Sequence, residues 1–178
     1  MRSMPLVSVL ATAMAVAACQ SGGSAEVTDA QRTEITAQVT QVIDSVFTAM
    51  NAGDVDAVYG HYRNSDEFIS VTVTQFLEGW NAFKSVTSSF FAQHPGVTFQ
   101  HRIVQTQVLA PNVAAVTIQG SSNEAPLLMW TDVLVREEGR WVITLEHESW
   151  PGATAPTVHP AMEAAPGSEL IPPDTGTG

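Results

Sequence analysis

Histidine changes charge near neutral pH, and the run GRWVITLEHESW, residues 139–150, sets one among alternating apolar positions. At the back of a pocket His147 could donate or accept a proton. In a packed core it would instead be held by Ser149, Thr131 or a backbone group, and the residue types allow both readings. The carboxylate that could complement it is Asp66, in RNSDEFISV, just ahead of a strand-like run. His101 shares a strand face with Phe99 and Ile103, so an inward imidazole is expected there, provided the strand does not bulge. His61 stands beside Tyr62 on a short helix and reads as partly exposed. Metal chemistry is not expected, because an ion needs three or four donors converging at about 2 Å. Neither HxH nor HExxH occurs, and Glu146-His147-Glu148 alternates faces on a strand. With no nucleophile elbow, phosphate loop or dinucleotide fingerprint either, the chemistry expected is cofactor-free and metal-free.

The elements that must position these groups follow from local signals. Thr28 and Gln31 suit a capping box, after which Ile35, Val39, Val42, Val46, Phe47 and Met50 keep a helical stripe that Gly53 ends. Asp54 can cap a second, shorter helix with Val55, Val58, Tyr59 and Tyr62 on one face. DEFISVTV suits a strand, and EGWNAFKSVTSSFFAQH a third helix stopped by Pro95-Gly96, with Trp80, Phe83 and Phe90 on one side. Four strand-like segments follow, over 97–109, 113–121, 127–136 and 140–150. This order predicts an α+β domain, its helices packed on a curved, mostly antiparallel sheet.

For the last hairpin, Glu137-Glu138-Gly139 suits a three-residue loop, a type I turn closed by left-handed glycine. Arg136 then pairs with Arg140, Val135 with Trp141, Val133 with Ile143, Thr131 with Leu145, and Met129 with His147. Paired residues share a sheet face. The register turns His147 inward with Met129, Thr131, Val133, Val135 and Ser149. It turns Asp132, Glu146 and Glu148 outward with Trp130, and Trp150 shares that outer face. The expected ligand wall is therefore Tyr62, Trp80, His101, Met129, Thr131, His147 and Ser149.

At 178 residues the chain is long enough for one domain with a real core but hardly for two. Seven Lys and Arg against 18 Asp and Glu give a net charge of −11, which repels nucleic acid; no basic run offsets it. The single cysteine, Cys19, rules out an internal disulfide framework and a multi-cysteine metal site. It ends MRSMPLVSVLATAMAVAAC, where Arg2 precedes an uncharged run from Leu6 to Ala18. That run is shorter than the roughly 20 residues that span a bilayer, so residues 1–18 read as an export signal. Val16-Ala17-Ala18-Cys19 resembles a bacterial lipobox, which implies lipid on Cys19 and a domain held outside the cytoplasm at the cell envelope. Residues 19–27 read as a flexible tether and 28–150 as the domain. Residues 151–178, with six of the ten prolines and no apolar period, read as a disordered tail in which His159 is a solvated bystander.

FTAMNAGDVDAVYGHYRNSDEFISV, LEGWNAFKSV, VLAPNVAAVTIQGS and WTDVLVREEGRWVITLEHES, in that order and spacing, resemble the SnoaL-like branch of the nuclear transport factor 2-like superfamily, over roughly residues 30–150. The resemblance implies a cone-shaped fold whose sheet wraps three helices and opens as a pocket. Its members include ketosteroid isomerase-like enzymes, polyketide cyclases, dehydratases, and binding or assembly domains, so the fold leaves function open. Three functions follow as expectations. The first is binding of a small, largely apolar molecule without cofactor. The second is an isomerase or dehydratase using His147 and Asp66 as acid and base. The third is an assembly module that forms a homodimer through the outer sheet face, anchored by Trp130.

Overall fold

The structure, a computed structural model, describes residues 26–150; the expected export signal over residues 1–18, Cys19, and the expected tail over residues 151–178 with His159 lie outside them. Helix α1 (Asp29–Ala52) begins with the expected box: Thr28 Oγ1 accepts from the Gln31 amide at 3.3 Å, and Gln31 Oε1 accepts from the Thr28 amide at 2.9 Å. It ends at Gly53, whose φ of 66° closes the last turn in the left-handed region. Ile35, Val39, Ile43, Val46 and Phe47 are buried along one stripe, with Val42 at its edge. The short helix α2 (Val55–Tyr59) starts on Asp54, whose carboxylate accepts from the Ala57 amide at 3.0 Å.

A short hairpin of β1 (Ile69–Val71) and β2 (Phe76–Glu78) comes next. The expected third helix starts at Glu78, but that residue pairs with Ile69, and α3 (Trp80–Gln93) begins after Gly79. Gly79 holds φ at 82° against the Asp66 backbone, while its amide donates to the Phe68 carbonyl at 2.8 Å. Long strands β3 (Phe99–Ala110), β4 (Val113–Ser122), β5 (Leu128–Glu137) and β6 (Arg140–Ser149) complete a six-stranded sheet in the order β2-β1-β6-β5-β4-β3. All neighbours are antiparallel except β1 and β6. The fold is the expected helices on a curved, mostly antiparallel sheet.

Asn51 pins α1 to the start of β3: its Oδ1 accepts from the Phe99 amide at 2.6 Å and its Nδ2 donates to the Phe99 carbonyl at 2.9 Å. Trp141 Nε1 donates to Gln38 Oε1 at 2.9 Å, tying α1 to β6. Gly120 lets β4 pass under the Trp130 ring, because a Cβ there would be driven into the Gln100 carbonyl oxygen and the indole.

The last hairpin departs from its expected register. Glu137 pairs with Arg140, leaving a two-residue turn in which Glu138 and Gly139 both have positive φ, 51° and 81°. Pairing then runs Arg136 with Trp141, Val135 with Val142 and Leu134 with Ile143, and shifts so that Val133 faces Leu145. Thr144 is the extra residue of that bulge. Below it, Asp132 faces Glu146, Thr131 faces His147, and Met129 faces Ser149. Side chains alternate along a strand, so the changed turn and the bulge reverse the faces near the open end. Trp130, Asp132, Leu134 and Glu146 are buried on the helix side, contrary to the expectation that put Trp130 and the carboxylates outside. His147 and Thr131 are exposed on the other face, with Met129 and Ser149 half-buried.

Candidate ligand cavity

The reversal creates the site. Between α1, α3, the turn joining β1 to β2, and strands β5 and β6 lies a cavity of about 1140 Å³. This is slightly above the range usual for small-molecule pockets. Its walls are largely apolar: α1 contributes Ile43, Phe47 and Met50, and α3 contributes Phe83 and Phe90. One patch of wall is different. Asp132 from β5 and Glu146 and Glu148 from β6 all project into the cavity, and Tyr62 joins them from the segment after α2.

The strand pairing brings these groups together. Asp132 and Glu146 are direct cross-strand partners, and Glu148 is the next residue on the same face of β6. Tyr62 Oη donates to Glu146 Oε2 at 2.5 Å, and Ser70 Oγ, from β1, donates to Glu146 Oε1 at 3.1 Å. Tyr62 is held in place by Phe83, at 4.7 Å between ring centroids, and by Phe68 at 5.7 Å. Both Glu146 oxygens are thus occupied. Asp132 is 4% exposed, and its Oδ1 has no hydrogen-bond partner.

Burial decides how the cluster titrates. It lifts the Asp132 carboxyl well above the usual range, and the neighbouring Glu146 charge adds to the rise. Burial also raises Glu146, but the hydrogen bonds from Tyr62 and Ser70 oppose it. Those two donors favour the ionised form of Glu146, so a proton shared by the pair resides on Asp132, which has no donor. Glu148 is pushed up to about 7 by burial and then by the Glu146 charge. The Tyr62 phenol is held protonated, its pKa raised well above 10.0 by burial and the three carboxylates around it. The cavity therefore holds an ionised acceptor, a protonated acid and a carboxyl that changes state near neutrality. That combination can bind polar hydrogens, or give and take a proton.

The residues singled out from sequence are scattered. Tyr62 lines the cavity. Trp80 is half-buried, edge-on to Tyr59 at 5.4 Å, and lies off the cavity wall. His101 faces α1, but its Nε2 contacts Asp44 Oδ1 at 2.8 Å and its ring stacks on Phe47 at 4.0 Å, behind the wall rather than in it. Asp66 is exposed in the loop before β1. Met129, Thr131, His147 and Ser149 occupy the opposite sheet face. The expected register turns the three carboxyls outward because it allots three residues to the Glu137-Glu138-Gly139 turn and has no bulge at Thr144. Their signal was the interleaving of Trp130, Asp132 and Leu134, since the two largest apolar side chains of that stretch demand the buried face and carry Asp132 with them. Among the described residues, no group of three or more His, Cys, Asp or Glu is arranged to hold a metal ion. Nor is any described helix long and apolar enough to cross a membrane.

A family model described as a SnoaL-like domain matches residues 39–153. No curated protein matches the chain. Among solved structures, an NTF-2-like protein of unknown function from Shewanella oneidensis is similar at 20% identity, with a TM-score of 0.58, over 65% of this chain and 98% of its own. A protein with a cystatin-like fold from Caulobacter vibrioides is 16% identical, with a TM-score of 0.58, over 65% of this chain and 89% of its own. A ketosteroid isomerase-like protein from Erwinia carotovora is 17% identical, with a TM-score of 0.52, over 64% of this chain and 93% of its own.

Proposed function

The chain belongs to the SnoaL-like domain family, and from that premise we propose that it binds a small, largely apolar molecule in the cavity, without cofactor, at the cell envelope. The observation that carries this reading is the cavity itself: about 1140 Å³, walled mainly by apolar side chains, with its buried polar groups gathered at one patch. The apolar walls contribute affinity through surface removed from water, and the carboxyl patch orients the molecule through its polar end. Thermal unfolding of the full chain against a panel of soluble apolar compounds tests this. At a hundredfold excess over Kd, a binder adds about 2.7 kcal/mol, a rise in Tm on the order of 10 °C. A panel in which no compound raises Tm overturns the reading. Envelope anchoring rests on Val16-Ala17-Ala18-Cys19, since several acyl chains on one cysteine hold a domain firmly where a single chain would not. Mass spectrometry of the chain from bacterial membranes should find an acylated Cys19 at the N-terminus; an unmodified, soluble product rejects it.

A second reading is cofactor-independent proton transfer, as in an isomerase or dehydratase, and one observation favours it. Glu148, at about 7, adjoins a carboxyl held protonated and one held ionised in the same cavity. Glu148 would take and return the proton, while Asp132 would donate a hydrogen bond to the oxygen on which charge develops. Exchange of ketone C–H protons in deuterium oxide, followed by proton NMR, reports that step without a known substrate. Exchange that persists undiminished in Glu148→Gln excludes the assignment.

A further inference from the structure

The polar patch has a sign as well as a position. Asp132, Glu146 and Glu148 converge on it, and no lysine or arginine among the described residues lines the cavity. The titratable groups facing the cavity are those three from β5 and β6, Tyr62 after α2, and His94 at the end of α3; α1 and the β1–β2 turn present none. His94 is already engaged, with Nδ1 2.7 Å from Glu124 Oε2 and its ring stacked on Phe90 at 4.6 Å. Tyr62 and Ser70 spend their hydroxyl protons on Glu146. What is left over is Asp132 Oδ1, which is buried, on the cavity wall and without a partner, and which becomes an acceptor once the Asp132 proton leaves. A buried polar atom without a partner represents a free-energy cost, which a bound N–H group removes once the carboxyl has given up its proton.

We propose that the cavity selects apolar molecules bearing a protonated amine, the ammonium group bound by Asp132 and Glu148 and the hydrocarbon body lying against Phe47, Phe83 and Phe90. This rests on the ligand-binding reading above and gives that ligand a chemical class. An ammonium group supplies both things the patch lacks, a positive charge and several N–H donors. The aromatic rings of the wall add cation–π attraction for whichever part of the charge they face. Anionic molecules are repelled by the same carboxylates, and by a chain whose net charge is −11. The amine keeps its proton on binding. The carboxyl protons held by Asp132 and Glu148 in the empty cavity leave to the buffer, so binding is linked to proton release.

Naphthylmethylamine, naphthylmethanol and naphthoate share one aromatic body and differ in head group, and titration calorimetry of the full chain against each decides the matter. Run at neutral pH in two buffers of different ionisation enthalpy, it also counts the protons released. The amine should bind at least about tenfold tighter than the alcohol, as expected for a charge-assisted hydrogen bond replacing a neutral one. It should release protons where the alcohol releases none, and naphthoate should be the weakest. Asp132→Asn and Glu148→Gln should each cut the amine-to-alcohol affinity ratio about tenfold, a ratio read only on folded variants. Alcohol binding equal to or tighter than amine binding overturns the amine proposal and leaves the apolar-ligand reading standing. Failure of all three probes overturns the proposal and counts against the underlying reading as well.

Discussion

Replacing Glu148 with glutamine should stabilise the protein in alkaline solution and do almost nothing in acid. In the folded chain, burial and the Glu146 charge push the Glu148 carboxyl from 4.5 to about 7. A carboxyl with a raised folded pKa binds its proton more tightly in the native state than in the unfolded one. Its contribution to stability is fully present below about pH 4.5 and is lost as pH rises through about 7. At about 1.4 kcal/mol per pH unit, the wild-type chain loses about 3 kcal/mol across that window through this one group. Glu148→Gln keeps the shape and some hydrogen-bonding capacity, and it removes the titration. That figure already includes the repulsion between Glu148 and Glu146, which the variant removes together with the burial of a charge. Urea unfolding of both proteins should therefore give nearly equal stabilities at about pH 4.5, and a gap near 3 kcal/mol in favour of the variant at about pH 8.5. Stability curves that stay parallel between those pH values refute the account of Glu148 as a buried carboxyl beside an ionised Glu146.

Three further predictions concern the cluster and its frame. Tyr62→Phe deprives Glu146 of the hydrogen bond at 2.5 Å and should cost about 1.5–3 kcal/mol by denaturant titration. That bond favours ionised Glu146, so the loss should be larger at alkaline than at acid pH; a pH-independent loss contradicts it. Gly120→Ala drives a methyl group into the Gln100 carbonyl and the Trp130 ring and should cost about 1–3 kcal/mol, with a change in tryptophan fluorescence as the ring shifts. His147→Ala, on the exposed face, should change stability by no more than about 0.5 kcal/mol and leave the ligand-induced rise in Tm intact; loss of that rise would restore His147 to the site.

Much of the architecture could be read along the chain, because the signals that define it are local. The Thr28–Gln31 box, the left-handed Gly53 and the Asp54 cap each act within about one helical turn, and the apolar stripe of α1 follows from its period. The element order and the SnoaL-like membership are likewise carried by residues in sequence. The site was not readable in this way. Its three carboxyls face inward because the hairpin turns on two residues rather than three and because Thr144 bulges out of register. Each is a one-residue event in a pattern of period two, and such an event moves every later side chain to the opposite face. The spacing of Trp130 and Leu134 marks the buried face of β5, but no local signal sets the bulge at Thr144 that brings Glu146 and Glu148 to the same side. That choice belongs to tertiary structure: Trp130 over Gly120, Leu134 in the core, and Tyr62 and Ser70 arriving from distant segments to satisfy Glu146. The chain determined by itself that helices would cover a sheet. Only the folded packing decided that His147 would face solvent while Asp132, Glu146 and Glu148 faced the cavity.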